Sequence, residues 1–434
     1  MLLVYTHNIS PRLKFIVKHI CSRILQLEVK FTTKVEVFVA HDSLKMSYTM
    51  NPLGKEFHIR SHRLLFEQGL TDIDIAVQPW GETKCFFSSG DKSSIPFDIF
   101  AAAFYLMSRY EEYLPHVKDE FGRFNAEDSL AYKHDFLHQP VVDIWAFKFR
   151  DALQRKFPNY TFEDRVYRIR PVIDVPMAFY FIQKGILRTW GGTINDIIRF
   201  KFRRLYQRYL VLMRFKKDPY DTFSWIINKQ KKAREKFRVF FLIGSFSTYD
   251  KNISINRKKF ISLIKSVSDY CKVGLKVSYF ALTDFSILKR EKTRMESVIN
   301  TSLEISRNSF SKLSLPYTYR NLIELEVRED YTMGYVNYTG FRAGTCTPFL
   351  FYDIDYEIQT PLVIYPYQVL DHSLLKFSSL LDKKEALQAV IDEVRNVRGT
   401  FIPVFHNYSF SDDDRWNGFR DLFNLILDSE HEKQ

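Results

Sequence analysis

The sequence is poor in the residues that punctuate or cross-link a chain. Fifteen glycines and fifteen prolines among 434 residues exclude a collagen-like, linker-rich or disordered composition. The four cysteines, Cys21, Cys85, Cys271 and Cys346, are scattered without a CxxC pair, which suggests neither a zinc cluster nor a disulfide framework and suits a reducing compartment. Fixed-period repeats and low-complexity runs are missing. So are a GxxxxGK phosphate loop and a GxSxG nucleophile elbow. The start, "MLLVYTHNISPRLKF", meets polar and charged residues too soon for a signal-peptide core or a membrane span, so a cytoplasmic location is expected.

What the chain has is apolar and aromatic bulk. At 46% apolar and 16% aromatic, with 40 Phe and 25 Tyr, it can pack two domains of ordinary size. The net charge of +12 fits nucleic acid, an anionic membrane or an acidic substrate and decides among none of them. Its distribution is more telling. "RFKFRRLYQRYLVLMRFKK", residues 199 to 217, holds eight Lys or Arg and no acid, interleaved with large apolar residues. That is the pattern of a basic amphipathic helix, which either lies on an anionic membrane surface or packs its apolar stripe on its own domain. No helix-turn-helix, zinc finger or RNA-binding signature accompanies it, so nucleic acid is not an expected partner.

Along the chain, residues 1–165 read as a smaller mixed α+β domain. It has a strand at "MLLVYT", a helix from Pro11 to Leu27, a strand in "VKFTTKVEVFVAH" and a helix in "IPFDIFAAAFYLMSRYEEYL". The turn-rich "PNYTFED" marks a boundary. From 166 to 434 strands and helices alternate, with basic helices inserted around 185–235. Strands are expected at "RVYRIRPVID", "RVFFLIG", "VGLKVSY", "YTMGY", "GFRAGT", "PLVIYPYQVLD" and "TFIPVFH", and a helix over "EKTRMESVINTSLEISRNSFSKL". That order predicts a β/α sheet or barrel. In such a fold chemistry gathers at the carboxyl ends of the strands, where Asp174, Lys276, Arg342, Asp371 and His406 are expected. Asp174 suits a base or metal ligand as well as a cap. His406 suits an acid, and Arg342 a carboxylate-orienting fork or a structural ion pair. Asp371 is assigned to substrate binding. The pairs His58/His62 and His134/His138 have helical i, i+4 spacing without an adjacent acid and read as surface histidines. Glu111 and Glu112 are given no chemistry.

"RPVIDVPMAF", "FFLIGSFSTYDKN", "VGLKVSY", "GFRAGT" and "GTFIPVFHN" stand in an order and spacing that resembles a Bacteroidetes-type branch of the polysaccharide deacetylases, carbohydrate esterases with a NodB-like fold. The N-terminal "PFDIFAAAFYLMSRYEEYLP" and "GRFNAEDSLAYKHDF" resemble the domain that precedes the barrel in that branch. The resemblance implies a distorted β/α barrel, a carbohydrate substrate, and hydrolysis of an N-acetyl or O-acetyl group by water activated on a divalent metal, often zinc. It implies Asp174 as base, Arg342 as its orienting residue and His406 as acid. At the ligand positions this chain departs from the pattern: Pro176 stands for a carboxylate, Lys276 for one histidine and Ser309 for another. A protonated lysine has no lone pair for a metal, so no metal or other cofactor is expected, and zinc only if this mapping fails. Lys276 is expected either to pair with Asp174 or to point outward without a role. Two functions stay open: a deacetylase-like enzyme of glycan metabolism, or a non-catalytic carbohydrate-binding or scaffolding pseudoenzyme, peripheral to a membrane through residues 199–217.

Overall fold

The computed structural model describes residues 1–430. Its first part is a four-stranded parallel sheet in the order Val29–Thr32, Leu2–Tyr5, Lys45–Thr49, Phe57–Arg60. The helices Pro11–Val17, Ile99–Met107 and Val141–Lys156 accompany it. Ser10 caps the first helix, accepting from the Leu13 amide at 3.1 Å, with Pro11 at the first helical position where its missing N–H costs nothing. The expected helix at 95–114 is shorter: Asp98 caps it through the Phe100 and Ala101 amides, and Arg109, at φ 56°, breaks it. "VKFTTKVEVFVAH" divides into a strand and a short helix, Val35–Val39. His58 is buried on a strand, 2.9 Å from the Ser47 hydroxyl, and His62 stacks on Phe87. Neither is the surface histidine expected, whereas His134 and His138 are exposed.

The second part is a nine-stranded sheet. In spatial order its strands are Phe349–Asp353, Ile358–Ile364, Glu329–Asp330, Ile305–Asn308, Lys272–Val277, Arg238–Leu242, Val172–Val175, Pro403–His406 and Val369–Leu370. Only the first pair is antiparallel. It is a mixed α/β fold with parallel sheets, and helices such as Lys258–Ser268, Phe285–Ile299 and Leu380–Asn396 connect the strands. The expected distorted barrel is met in part, since no ladder pairs the two edge strands directly. One extended segment, 358–370, nevertheless reaches both ends: Val363 and Ile364 pair with Glu329 and Asp330, and Val369 and Leu370 with Pro403 and Val404.

Alternation along the strands sorts the side chains. Val172, Phe240, Ile305, Tyr331, Tyr367, Leu370, Ile402 and Val404 form a small core of their own, enclosed by the curled sheet. Val273, Leu275 and Val277 belong instead to the main core with the helices. Gly274 lies on the inner face because a Cβ there would stand 2.6 Å from Phe240 and Ile305. The next inward position on that strand is Lys276. The main core is continuous across both parts of the chain, and buried ion pairs join them, Arg12 to Glu357 and Arg342 to Glu112.

Two strand expectations fail, since "YTMGY" is irregular and "GFRAGT" is a turn, and one helix expectation fails too, since "EKTRMESVINTSLEISRNSFSKL" is not one helix. Its helix ends at Ile299, capped by Asn300 in the left-handed region at φ 54°, and Ile305–Asn308 becomes a central strand of the sheet. All four cysteines are buried and unpaired. Among the described residues no helix is long and apolar enough to cross a membrane.

Candidate functional site

Because Arg307, Lys276, Asp174 and His406 occupy inward positions at the carboxyl ends of four of five successive parallel strands, with Arg238–Leu242 between the Lys276 and Asp174 strands, their head groups meet. Lys276 Nζ donates to Asp174 Oδ2 at 2.8 Å, and Arg307 Nε donates to the same oxygen at 2.9 Å. His406 Nε2 stands 3.7 Å from it. Asp174 Oδ1 is buried and has no hydrogen-bond partner. Burial alone would raise the Asp174 carboxyl, but Arg307 and Lys276 outweigh it and hold the group well below the usual carboxylate range. Burial also pulls the Lys276 ammonium down, with Asp174 opposing the shift.

A second carboxylate sets His406. Asp371 accepts from the His406 amide at 2.7 Å and lies 2.9 and 3.0 Å from His406 Nδ1 through its two oxygens. It also meets His372 Nδ1 at 2.8 Å and the Ser409 hydroxyl. Burial would raise Asp371, yet His406 and His372 hold it well below the ordinary carboxylate range. His406 itself is lowered, by burial first, against the pull of Asp371. With its oxygens committed and its side chain sealed from solvent, Asp371 positions the histidine and is not available to a substrate, contrary to its expected role.

Arg342 does not reach this group. It is buried against the N-terminal part, forking onto Glu112 at 2.7 and 2.9 Å and donating to the Gly334 carbonyl. The guanidinium that holds Asp174 is Arg307, which sequence reading passed over because its strand was taken for helix. Arg307 is itself fixed by the Tyr331 carbonyl, by the Ser311 hydroxyl at 3.1 Å and by the Tyr367 ring 4.6 Å away. Phe310 and Ser311 both have positive φ, 59° and 52°; backbone in this sparsely populated region persists where its surroundings over-determine it, and here Arg307 and Tyr367 both bond Ser311.

The four groups lie at the floor of a cleft of about 640 Å³. Its walls are aromatic. Tyr408 stacks on His406 and adjoins Tyr220 and Trp416 on one side, and Phe121 stacks on Phe310 on the other. Phe121, Glu120 and Arg123 come from the N-terminal part, tied down by an Arg123 donation to the Phe310 carbonyl at 3.2 Å. Pro176 and Ser309 also line the cleft, with Ser309 donating to Asp250 at 3.4 Å.

Whether these residues fit a divalent metal can be read from their donors. At Asp174 two fixed cations lie within 3 Å of one oxygen, Pro176 offers no side-chain donor, and a lysine ammonium has no lone pair. Among the described residues, one cluster has three potential ligands within 4.8 Å: Asp371, His372 and His406. Binding there through Asp371 would displace the hydrogen bonds that orient both imidazoles. The donors around Asp174 do not fit the metal that the resemblance implies.

A family described as of unknown function, DUF7033, matches residues 2–158, and no curated protein matches the sequence. Among solved structures, the chain is similar to a Mycobacterium smegmatis protein assigned as a polysaccharide deacetylase, at 13% identity and TM-score 0.38 over 61% of this chain and 85% of that one. It is similar to a polysaccharide deacetylase of Bacillus cereus, at 11% identity and TM-score 0.29 over 61% and 88%. It is similar also to a CE4-family pseudoenzyme of Bacillus anthracis, at 8% identity and TM-score 0.28 over 62% of each chain. Likenesses this distant assign no residue a role.

Proposed function

We propose that the protein is a deacetylase-like carbohydrate-binding protein whose cleft no longer carries out metal-dependent deacetylation. The observation that supports this reading is the Lys276 ammonium 2.8 Å from Asp174, placing positive charge where the resembled family has a metal ligand. A carboxylate held by two cations is a weak base, because accepting a proton would cost both ion pairs. Without a Lewis acid nothing else in the floor of the cleft generates hydroxide at neutral pH. The aromatic walls, by contrast, offer flat apolar faces for the C–H faces of sugar rings, and the charged floor offers directional donors, the composition of a small-molecule site.

The Asp371–His406 pair favours one other reading. An imidazole oriented through Nδ1, with Nε2 turned toward Asp174, retains the geometry of a general acid, so slow metal-independent hydrolysis of an activated ester is the competing function. Calorimetric titration with N-acetylated and O-acetylated oligosaccharides, run beside an acetate-release assay with added zinc, separates the two. Binding without acetate release is expected. Release that disappears in Asp174→Asn would overturn the proposal.

A further inference from the structure

Residues 186–217 fold as a helical hairpin that the cleft does not use. Its helices, Ile186–Ile198 and Phe202–Leu212, pack on each other through Asp196, which pairs with Arg208 and, at 3.5 Å, Arg204. Gly192 lets the Arg208 guanidinium approach, since a Cβ there would lie 2.9 Å from it. Two of the basic residues, Arg204 and Arg208, are thus turned inward. The apolar residues are turned out.

On the first helix Ile186, Leu187, Trp190, Ile194, Ile197 and Ile198 are all exposed, Leu187 to 89% and Trp190 to 64%. At 100° per residue these six fall within one arc of about 120°. On the second, Phe202, Tyr206, Tyr209 and Met213 form a second exposed stripe. Phe200 and Phe215, flanking that helix, are 79% and 76% exposed. Packing of this stripe on the protein's own core, one of the two sequence-level alternatives, is therefore not what the fold does. An apolar surface this dense on a monomer marks an interaction site.

Charge decides the occupant. Arg199, Lys201, Arg214 and Lys216 are exposed, and among the described residues none is paired with a carboxylate. The one acid between 186 and 217, Asp196, is buried. A second copy would bring the same cations face to face, and a nucleic acid would leave the apolar stripes in water. A bilayer with anionic headgroups satisfies both features, because it takes apolar side chains below a layer of negative charge. Trp190, Tyr206 and Tyr209 are residue types that favour the boundary between the two. We infer that the hairpin 186–217 docks the protein on an anionic lipid surface. The inference stands independently of what the cleft binds. The docked face adjoins the cleft, since Arg203 pairs with Asp414 beside Arg415 and Trp416, and Tyr180, at the base of the hairpin, packs on Tyr220 of the cleft wall.

The test is co-sedimentation of the full chain with vesicles of phosphatidylcholine alone and of phosphatidylcholine with phosphatidylserine, at about 0.1 M salt. Expected are binding to the serine-containing vesicles, little to the neutral ones, and at least a tenfold loss of affinity in Leu187→Glu/Trp190→Glu. Reversal of Arg199, Lys201, Arg214 and Lys216 to Glu is an independent arm on exposed residues, expected to cost about fivefold or more for each cation. Failure of the unaltered protein to bind anionic vesicles would overturn the inference. Binding indifferent to both sets of substitutions would overturn it as well. So would a dimer in solution, seen by light scattering, that Trp190→Glu dissociates.

Discussion

Replacing Asp174 by Asn removes the one counter-charge shared by two buried cations. At an effective dielectric of about 20, opposite charges about 3 Å apart attract by roughly 5 kcal/mol before desolvation is subtracted. Stripping one partner from a buried pair typically costs about 3–5 kcal/mol, because the remaining charge stays buried and unpaired. Asp174→Asn is expected at that level, with Lys276 2.8 Å and Arg307 2.9 Å from the lost oxygen. Lys276→Met is milder, about 1–3 kcal/mol, since Asp174 keeps Arg307. The double variant should fall short of the sum by roughly 2 kcal/mol, because it leaves only Arg307 without its carboxylate, whereas Asp174→Asn alone leaves Lys276 buried and unpaired as well. Urea unfolding of the four proteins, followed by circular dichroism, measures the cycle. Costs that add to within about 0.5 kcal/mol would mean that Lys276 and Asp174 are not coupled, and the account of a cation closing the site would fall.

Other outcomes follow from the same geometry. Arg342→Met should destabilise the chain by about 1–3 kcal/mol by breaking its fork onto buried Glu112, which keeps Arg109 at 2.7 Å, while leaving oligosaccharide affinity unchanged; an affinity loss in a folded variant would return Arg342 to the site. Glu291, raised by burial to about 7 despite its bonds from Ser278, contributes stability that is full below the unfolded value near 4.3 and is lost as pH rises to about 7, an amplitude of about 4 kcal/mol. The difference in unfolding free energy between the protein and Glu291→Gln should therefore change over that window and be flat above it, and a pH-independent difference would refute the assignment. Phe121→Ala, which removes a stacked ring from the cleft wall, should weaken sugar binding about tenfold, as calorimetry would show.

Much of the second part was legible because its strands are short apolar runs ending in polar residues. "RPVID", "VGLKV" and "FIPVFH" carry Asp174, Lys276 and His406 to one mouth, as their alternation and parallel order predict. Arg307 was not legible in the same way. Its strand, Ile305–Asn308, has a single large apolar residue and follows a helix without a glycine or proline. The signal that marks the boundary is Asn300, a residue type that tolerates the left-handed cap at φ 54°. Arg342 and Asp371 were found as polar residues after apolar ones, but sequence says nothing about which direction such a side chain takes. Glu112, in the short helix Tyr110–Tyr113 of the N-terminal part, captures the first. Two imidazoles capture the second. The exposure of the hairpin's apolar stripes was equally hidden, since periodicity defines a face without saying what covers it.

The most direct test of the central claim is zinc titration of the purified chain by calorimetry, beside the variant Pro176→Asp/Lys276→His/Ser309→His and Asp174→Asn. If Lys276 and Arg307 hold Asp174 as the distances indicate, the unaltered protein takes up no stoichiometric zinc at the cleft and the triple variant gains a site. One equivalent bound by the unaltered protein, and lost in Asp174→Asn, would contradict it.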